Sequence, residues 1–534
     1  MNLRLFSCSP RDLRKTAGSF LAAVALAAVC CAQTAPPPIH LRVRLSPELA
    51  RDDASGRLIV FLSSQKEPRK ELSQEEGKEA KSVWITSQEV RLSPGQEIEI
   101  GPNAPAFPAP LNTAPPGDYQ AMALLDVNHH YAYNGAHPGD LRSVVVPLPG
   151  FTPAGGTVAL TLTQRYPEEP IKPLPGTELV DFVSPSLSAF WGRPIHMRGL
   201  VVLPPGYESS LTRHYPTVYW THGFGAELRY FPRVAASYQR LMSEGKLPEM
   251  IYVLLDESCS GGTHEFADSV NNGPWGKALT SELIPHLEKT YRMDARPSGR
   301  LLTGHSSGGW AVLWLQVTYP QVFGGSWPTS PDPSDFRNFT GPDLRKATNI
   351  YRKPDGTPYQ LVRMNGEEVM SFEEYARQEA VLGDYGGQIS SFDWVFSPRG
   401  GDGRPAPLFD RDTGIINRAV AEAWEKYDIA EIVRKNAARL KPLLDGKIHL
   451  TVGTADTFHL DESARLLEQT FKEAGIRADF TFLAGRSHFD LYRDGLTEQI
   501  GREMAAVARP GEKVAAKPAA KAPASQGNGT PARP

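Results

Sequence analysis

Two glycines bracket a serine at a point where strand-like sequence gives way to helix-like sequence. Arg300-Leu301-Leu302-Thr303 is apolar and extended in character, Gly304-His305-Ser306-Ser307-Gly308 follows, and Ala311-Val312-Leu313-Trp314-Leu315 continues helically. A chain passing from strand to helix in so few residues must turn sharply. The residue at the corner, Ser306, is then forced into backbone geometry that side chains rarely adopt. The flanking glycines omit the Cβ atoms that would collide there. Such a turn lifts the Ser306 hydroxyl clear of the backbone at the carboxyl edge of a sheet with helices on its faces.

The pentapeptide alone recurs by chance, so its meaning depends on what accompanies it. Lys447-Ile448-His449-Leu450-Thr451-Val452-Gly453 reads as a buried strand, with Asp456 just beyond it. Ala478 to Leu483 reads as the next strand, and Ala484-Gly485-Arg486-Ser487-His488 follows. The chain order is serine, acid, histidine. A serine hydroxyl is a poor nucleophile at neutral pH; His488 would take its proton, and Asp456 would hold the imidazole in the useful tautomer. Asp456 has two rivals. Asp461 lies one turn later, flanking a helix that starts near Glu462, and Asp332 follows the strand Gly325 to Thr329. His459 precedes the last strand and reads as a wall or structural residue. Pro216 to Thr221 reads as a third strand ending in His222-Gly223-Phe224-Gly225. A glycine-bearing loop there, Gly223 above all, lets a backbone N–H approach the serine. The expected oxyanion donors are the N–H groups of Phe224 and Ser307. An ordinary strand-to-helix turn favours the same glycines.

From about Phe190 to Arg509 the chain resembles an esterase family of α/β-hydrolases. That family includes S-formylglutathione hydrolases, enterochelin-type siderophore esterases, feruloyl esterases and mycolyltransferases. The resemblance is carried by Leu203-Pro204-Pro205-Gly206-Tyr207, His222-Gly223-Phe224-Gly225, Gly304-His305-Ser306-Ser307-Gly308-Gly309 and Gly485-Arg486-Ser487-His488-Phe489. It implies a doubly wound α/β-hydrolase sheet and triad roles for Ser306, Asp456 and His488. The family divides between hydrolysis and acyl transfer, so the resemblance does not choose the acceptor.

A chain of 534 residues is too long for one domain. Residues 1–32 read as a signal peptide: a basic segment holding Arg4, Arg11, Arg14 and Lys15, an apolar run from Ser19 to Val29, and small residues before a cut at Ala32–Gln33. A lipoprotein with Cys30 or Cys31 acylated is the alternative, although the residues before each cysteine fit that signal poorly. Of the four cysteines only Cys259 lies beyond this leader, which leaves no internal disulfide; it reads as a small packing residue. Residues 39–165 alternate in short strand-like runs and predict an N-terminal β-sandwich. Residues 166–176 are proline-rich and read as a linker that permits separation. Residues 177–509 form the catalytic domain, with an insertion over about 330–446 read as a helical cap, and residues 510–534 form a tail of disordered composition. Helical pieces of the insertion are expected over Ser371 to Leu382 and Ile415 to Leu444, with Tyr375, Tyr385, Trp394, Phe396 and Trp424 among its aromatics.

A net charge of −3 gives no basic field for nucleic acid. Past the leader no stretch is long and apolar enough to span a membrane. The paired His129 and His130 lack ligand spacing and read as loop residues, and Gly400 to Asp412 does not match a calcium loop; no cofactor or metal is expected. The reading is an exported serine esterase, periplasmic or secreted, forming an acyl-enzyme on a small-molecule, carbohydrate or siderophore ester. Acyl transfer of the mycolyltransferase type is one alternative, and a binding protein with a relict hydrolase core is another. The N-terminal domain is expected to take no part in bond breaking.

Overall fold

The computed structural model describes residues 36–74, 77–168, 170–383 and 387–511. The leader, Tyr385 and all but the start of the tail lie outside the described residues. Eight strands build the catalytic sheet: β1 (Thr177–Val183), β2 (His196–Val202), β3 (Thr217–Thr221), β4 (Ile251–Leu255), β5 (Arg300–His305), β6 (Gly325–Thr329), β7 (His449–Gly453) and β8 (Asp479–Leu483). Their order is β1-β2-β4-β3-β5-β6-β7-β8. β2 runs antiparallel to both β1 and β4, and the remaining neighbours are parallel. β4, sequence IYVLL, is buried at every position, as a central parallel strand covered on both faces must be. Ile251, Val253 and Leu255 enter one core, and Tyr252 and Leu254 enter another on the opposite face. Helices Phe231–Ser243 and Leu496–Ala508 close the second face.

Chain order reverses around β3, and this reversal creates the crevice at the carboxyl edge. Thr221 of β3 pairs with Gly304 of β5. The residues two positions beyond each, Gly223 and Ser306, therefore emerge side by side.

In the N-terminal part, hydrogen bonding joins nine strands into one sheet, where the alternating pattern predicts two packed sheets. His40–Leu45 lies parallel to Thr157–Arg165, which leads through Leu141–Ser143 to Gly117–Asp126, Ala54–Ser63 and Val83–Leu92. Ala54–Ser63 is buried on both faces along most of its length. Leu58, Val60 and Leu62 enter a core belonging to this sheet. Ile59 and Phe61 point the other way, into a core shared with the insertion and with Trp310, Leu313 and Trp314 of the helix after Ser306. The proline-rich segment therefore joins two parts that bury apolar surface together, rather than two separable bodies. Ser87 Oγ donates to the buried carbonyl of Val381 at 2.6 Å, and the Arg57 guanidinium donates to the carbonyls of Ala380 and Val381 at 2.9 and 3.0 Å.

The insertion is packed, with Phe396 and Trp424 each 1% exposed. Helix Phe372–Leu382 begins where the sequence places it, with a capping box between Ser371 and Glu374. The single helical stretch expected from Ile415 to Leu444 is instead three helices, Arg418–Trp424, Ile429–Lys435 and Ala437–Leu444. Asp428 caps the second by accepting the Glu431 N–H, and Asn436, at φ −121°, ends it. Residues that bond their own local backbone break a helix even where the apolar pattern continues.

Candidate active site

Ser306 has φ 59° and ψ −125°, and its N–H donates to the Thr329 carbonyl of β6 at 3.1 Å. The helix Ser307–Thr318 starts at the next residue. A Cβ on Gly308 would lie 2.5 Å from the His222 carbonyl oxygen, and one on Gly309 would lie 2.9 Å from that of Thr329, so only glycine fits either place. A Cβ on Gly223 would meet Ser306 Cβ at 3.0 Å and Ser306 Oγ at 3.7 Å. The β3 loop is thus in contact with the serine. Among the described residues neither the Phe224 N–H nor the Ser307 N–H has a hydrogen-bond acceptor. The His222 ring braces this loop: Nε2 accepts the Glu257 N–H at 2.9 Å, which leaves Nδ1–H to donate to the Gly223 carbonyl at 2.8 Å.

His488 and Asp456 meet, Nδ1 to Oδ2, at 2.9 Å, and both are buried. Burial opposes ionisation of Asp456, but the adjacent His488 and the Phe458 N–H outweigh it and hold the carboxyl below its ordinary range. The rings of Phe458 and Phe489 stand edge-on to His488 at 5.0 and 5.3 Å. His305 packs against it at 4.4 Å between centroids and donates or accepts at Thr329 Oγ1, 3.1 Å away. Burial, then the neighbouring His488, pushes the His305 ring down to about 3, so it stays neutral.

The rival acids fall elsewhere. Asp461 pairs with Arg363 at 2.7 Å. That arginine, on the insertion strand Gln360–Met364, also donates to the Asp456 carbonyl at 2.7 Å and so clamps the loop of the acid. His459, with φ 59°, meets Glu368 at 3.2 Å and begins a helix. Asp332 lies at the serine rather than at the histidine. Its Oδ1 is 3.4 Å from Ser306 Oγ, and its Oδ2 accepts the Ser307 hydroxyl at 2.7 Å and the Gln388 amide at 3.2 Å. Burial, partly offset by the Ser307 hydroxyl, raises the Asp332 carboxyl to about 6. Neither Gln388 nor Arg363 carries a signal in the sequence, because both come from the insertion and meet the site only through tertiary packing.

Behind the His222 loop, Glu257 is fully buried, and neither of its carboxylate oxygens has a partner among the described residues. Burial raises it to about 8. Cys259 is a free thiol, pushed up to about 12 by burial. His130 stacks on His137, centroids 4.9 Å apart, rather than standing in solvent. His137 in turn meets Glu227 at 2.9 Å, two residues past Gly225. Tyr133 presses its ring edge-on to Phe224 at 4.9 Å, and its hydroxyl donates to the Ala226 carbonyl. The segment between strands Gly117–Asp126 and Leu141–Ser143 of the N-terminal part thus touches Phe224, Ala226 and Glu227 in the loop beside Ser306.

Residues 188–499, more than half of the chain, match the family described as Putative esterase. The chain belongs to this esterase family. With the family comes the class of carboxylic-ester hydrolases. Over 134 residues the esterase is 27% identical to an endo-1,4-beta-xylanase/feruloyl esterase of Xylanibacter ruminicola. That match covers 23% of this chain and 18% of the relative, so the chain spans under a fifth of the curated protein's length. Among solved structures, a ferulic acid esterase is 16% identical with a TM-score of 0.39, covering 62% of this chain and 98% of the other. An S-formylglutathione hydrolase from Agrobacterium tumefaciens is 15% identical with a TM-score of 0.37, covering 62% and 95%. No helix among the described residues is long and apolar enough to cross a membrane.

Proposed function

We propose that the esterase cleaves carboxylic esters through an acyl-enzyme on Ser306. The observation that carries this reading is the buried His488–Asp456 pair, whose imidazole packs against His305, the residue before a serine held at positive φ. His488 Nε2 takes the Ser306 proton as Oγ attacks the carbonyl carbon, while Asp456 accepts the Nδ1–H and steadies the imidazolium. The tetrahedral oxyanion forms against the open N–H groups of Phe224 and Ser307, with Gly223 allowing the close approach. His488 then protonates the leaving alcohol. Water, deprotonated by His488, attacks the acyl carbon and releases the acid and Ser306. Neutral His305 adds no competing positive charge beside His488. The same reading takes residues 1–32 as an export signal, the N-terminal sheet as an accessory domain and the insertion as a cap. Gln388 at Ser307 supports the last of these.

A fluorophosphonate probe tests the assignment. It is expected to label the protein at Ser306, and Ser306→Ala to abolish both labelling and turnover of p-nitrophenyl acetate. Labelling at another serine, or full activity in the alanine variant, would overturn it. Recovery of protein starting at Gln33 outside the cytoplasm would test export.

A further inference from the structure

A cavity of about 310 Å³ opens where three parts of the chain meet. Tyr133 and Asn134 come from the short helix Tyr131–Asn134 of the N-terminal part, Phe224 from the loop beside Ser306, and Tyr375 and Glu379 from the insertion. Asn134 Nδ2 and Oδ1 are both buried and have no hydrogen-bond partner among the described residues. A buried amide with neither partner is rare, because each unmet group forfeits its hydration. An amide offers donors on one side and an acceptor on the other, which complements hydroxyl groups that both accept and donate.

The rest of the lining narrows the ligand further. No Lys, Arg or His lines the cavity among the described residues, so nothing offers a counter-charge to an anion. Glu379 already accepts the N–H groups of Ile389 and Ser390 at 2.9 and 3.3 Å, and burial pushes its carboxyl up to about 7, which weakens any claim on a cation. Tyr133, Phe224 and Tyr375 supply aromatic surface. The volume is at the small end for ligand pockets, which run from roughly 300 to 1,000 Å³. The cavity also shares a wall with the reaction site. Phe224 lines it, and Gly223, one residue earlier, is packed against Ser306.

We propose that this cavity is a substrate subsite for an uncharged, hydroxyl-bearing six-membered ring carried by one half of the ester, with Asn134 as its specificity-determining residue. The N-terminal part then selects substrate directly, through a side chain of its short helix Tyr131–Asn134. This inference rests on the acyl-enzyme reading for its placement next to the scissile bond.

The test uses full-length protein and three esters: p-nitrophenyl acetate, an O-acetyl ester of methyl glucoside with the ring on the alcohol side, and methyl 4-hydroxybenzoate with the ring on the acyl side. For one of the two ring esters, Asn134→Ala should lower kcat/KM relative to that for p-nitrophenyl acetate by about tenfold or more, mainly through KM. Which ring ester responds tells which half of the ester enters the cavity. Ala132→Phe, which fills the space, should lower the same ratio. Ligand-detected NMR with methyl glucoside and with phenol reads occupancy without turnover: one ring should bind wild type and lose binding in both variants. Ring binding with no ester cleavage would support the subsite and sink the acyl-enzyme reading instead. The proposal is overturned if the ratio stays constant in both variants, if all three esters lose activity equally, or if neither ring binds wild type.

Discussion

Glu257 offers a test of the electrostatics behind the reactive loop. Its side chain is fully buried with neither oxygen partnered among the described residues, and burial raises its carboxyl from the ordinary 4.5 to about 8. The folded protein therefore keeps the proton over a range in which the unfolded chain has lost it. A raised acid contributes stability that is complete below the unfolded value and lost as pH climbs to the folded one. Stability should fall between about pH 4.5 and 8. At about 1.4 kcal/mol per unit, a gap of this size sets a ceiling of about 5 kcal/mol, and water entering on ionisation reduces the realised effect to about 2–3 kcal/mol. Glu257→Gln retains shape and polarity but cannot ionise. It should match wild type near pH 4.5 and exceed it progressively up to pH 8, by about 2–3 kcal/mol, or several degrees in Tm. Thermal unfolding at half-unit pH steps, with both proteins in the same buffers, reads this directly. A constant offset between the two proteins across that range would refute the reasoning, since it would mean that the carboxyl is ionised and partnered throughout.

Three further outcomes follow from the geometry of the site. Ser306→Ala should lower kcat by about 10⁴ or more without changing Tm by more than a degree or two, measured with p-nitrophenyl acetate. Asp456→Asn should lower kcat about 10³- to 10⁴-fold by favouring the wrong imidazole tautomer; Asp332→Asn, which keeps an acceptor for the Ser307 hydroxyl, should lose only about tenfold, and a larger loss there would make Asp332 the acid. Tyr133→Ala should lower kcat about 10- to 100-fold by loosening the Phe224 loop, against a ceiling of roughly 10³ for losing an oxyanion donor outright, while Tyr133→Phe keeps the ring contact and most of the rate.

Local pattern was informative where short-range physics decides structure. The corner at Ser306 is visible because sterics demand glycine at Gly304 and Gly308, and those residues are adjacent in the chain. Helix Phe372–Leu382 is visible because its cap lies in neighbouring residues. The ten-residue strand Val83–Leu92 carries a weak local signal because its middle, Ser87-Gln88-Glu89, is polar, while its pairing with Ala54–Ser63 supplies the order. β1 sits at the sheet edge with Glu178 and Asp181 exposed, so it shows little apolar periodicity. Arg363, Gln388 and Tyr133 reach the site across 93, 81 and 93 residues of chain, to Asp456, Ser307 and Ala226 respectively. Nothing local encodes such meetings.

The shared core of Ile59, Phe61, Trp310 and Trp314 has a consequence for proteolysis. A protease cutting within residues 166–176 would break the covalent connection and leave the apolar contacts and the Arg57 bonds to Ala380 and Val381 in place. The two fragments should elute together from a sizing column, melt in one transition and retain turnover, and come apart only in denaturant. A nicked sample would look intact by every measurement except a denaturing gel.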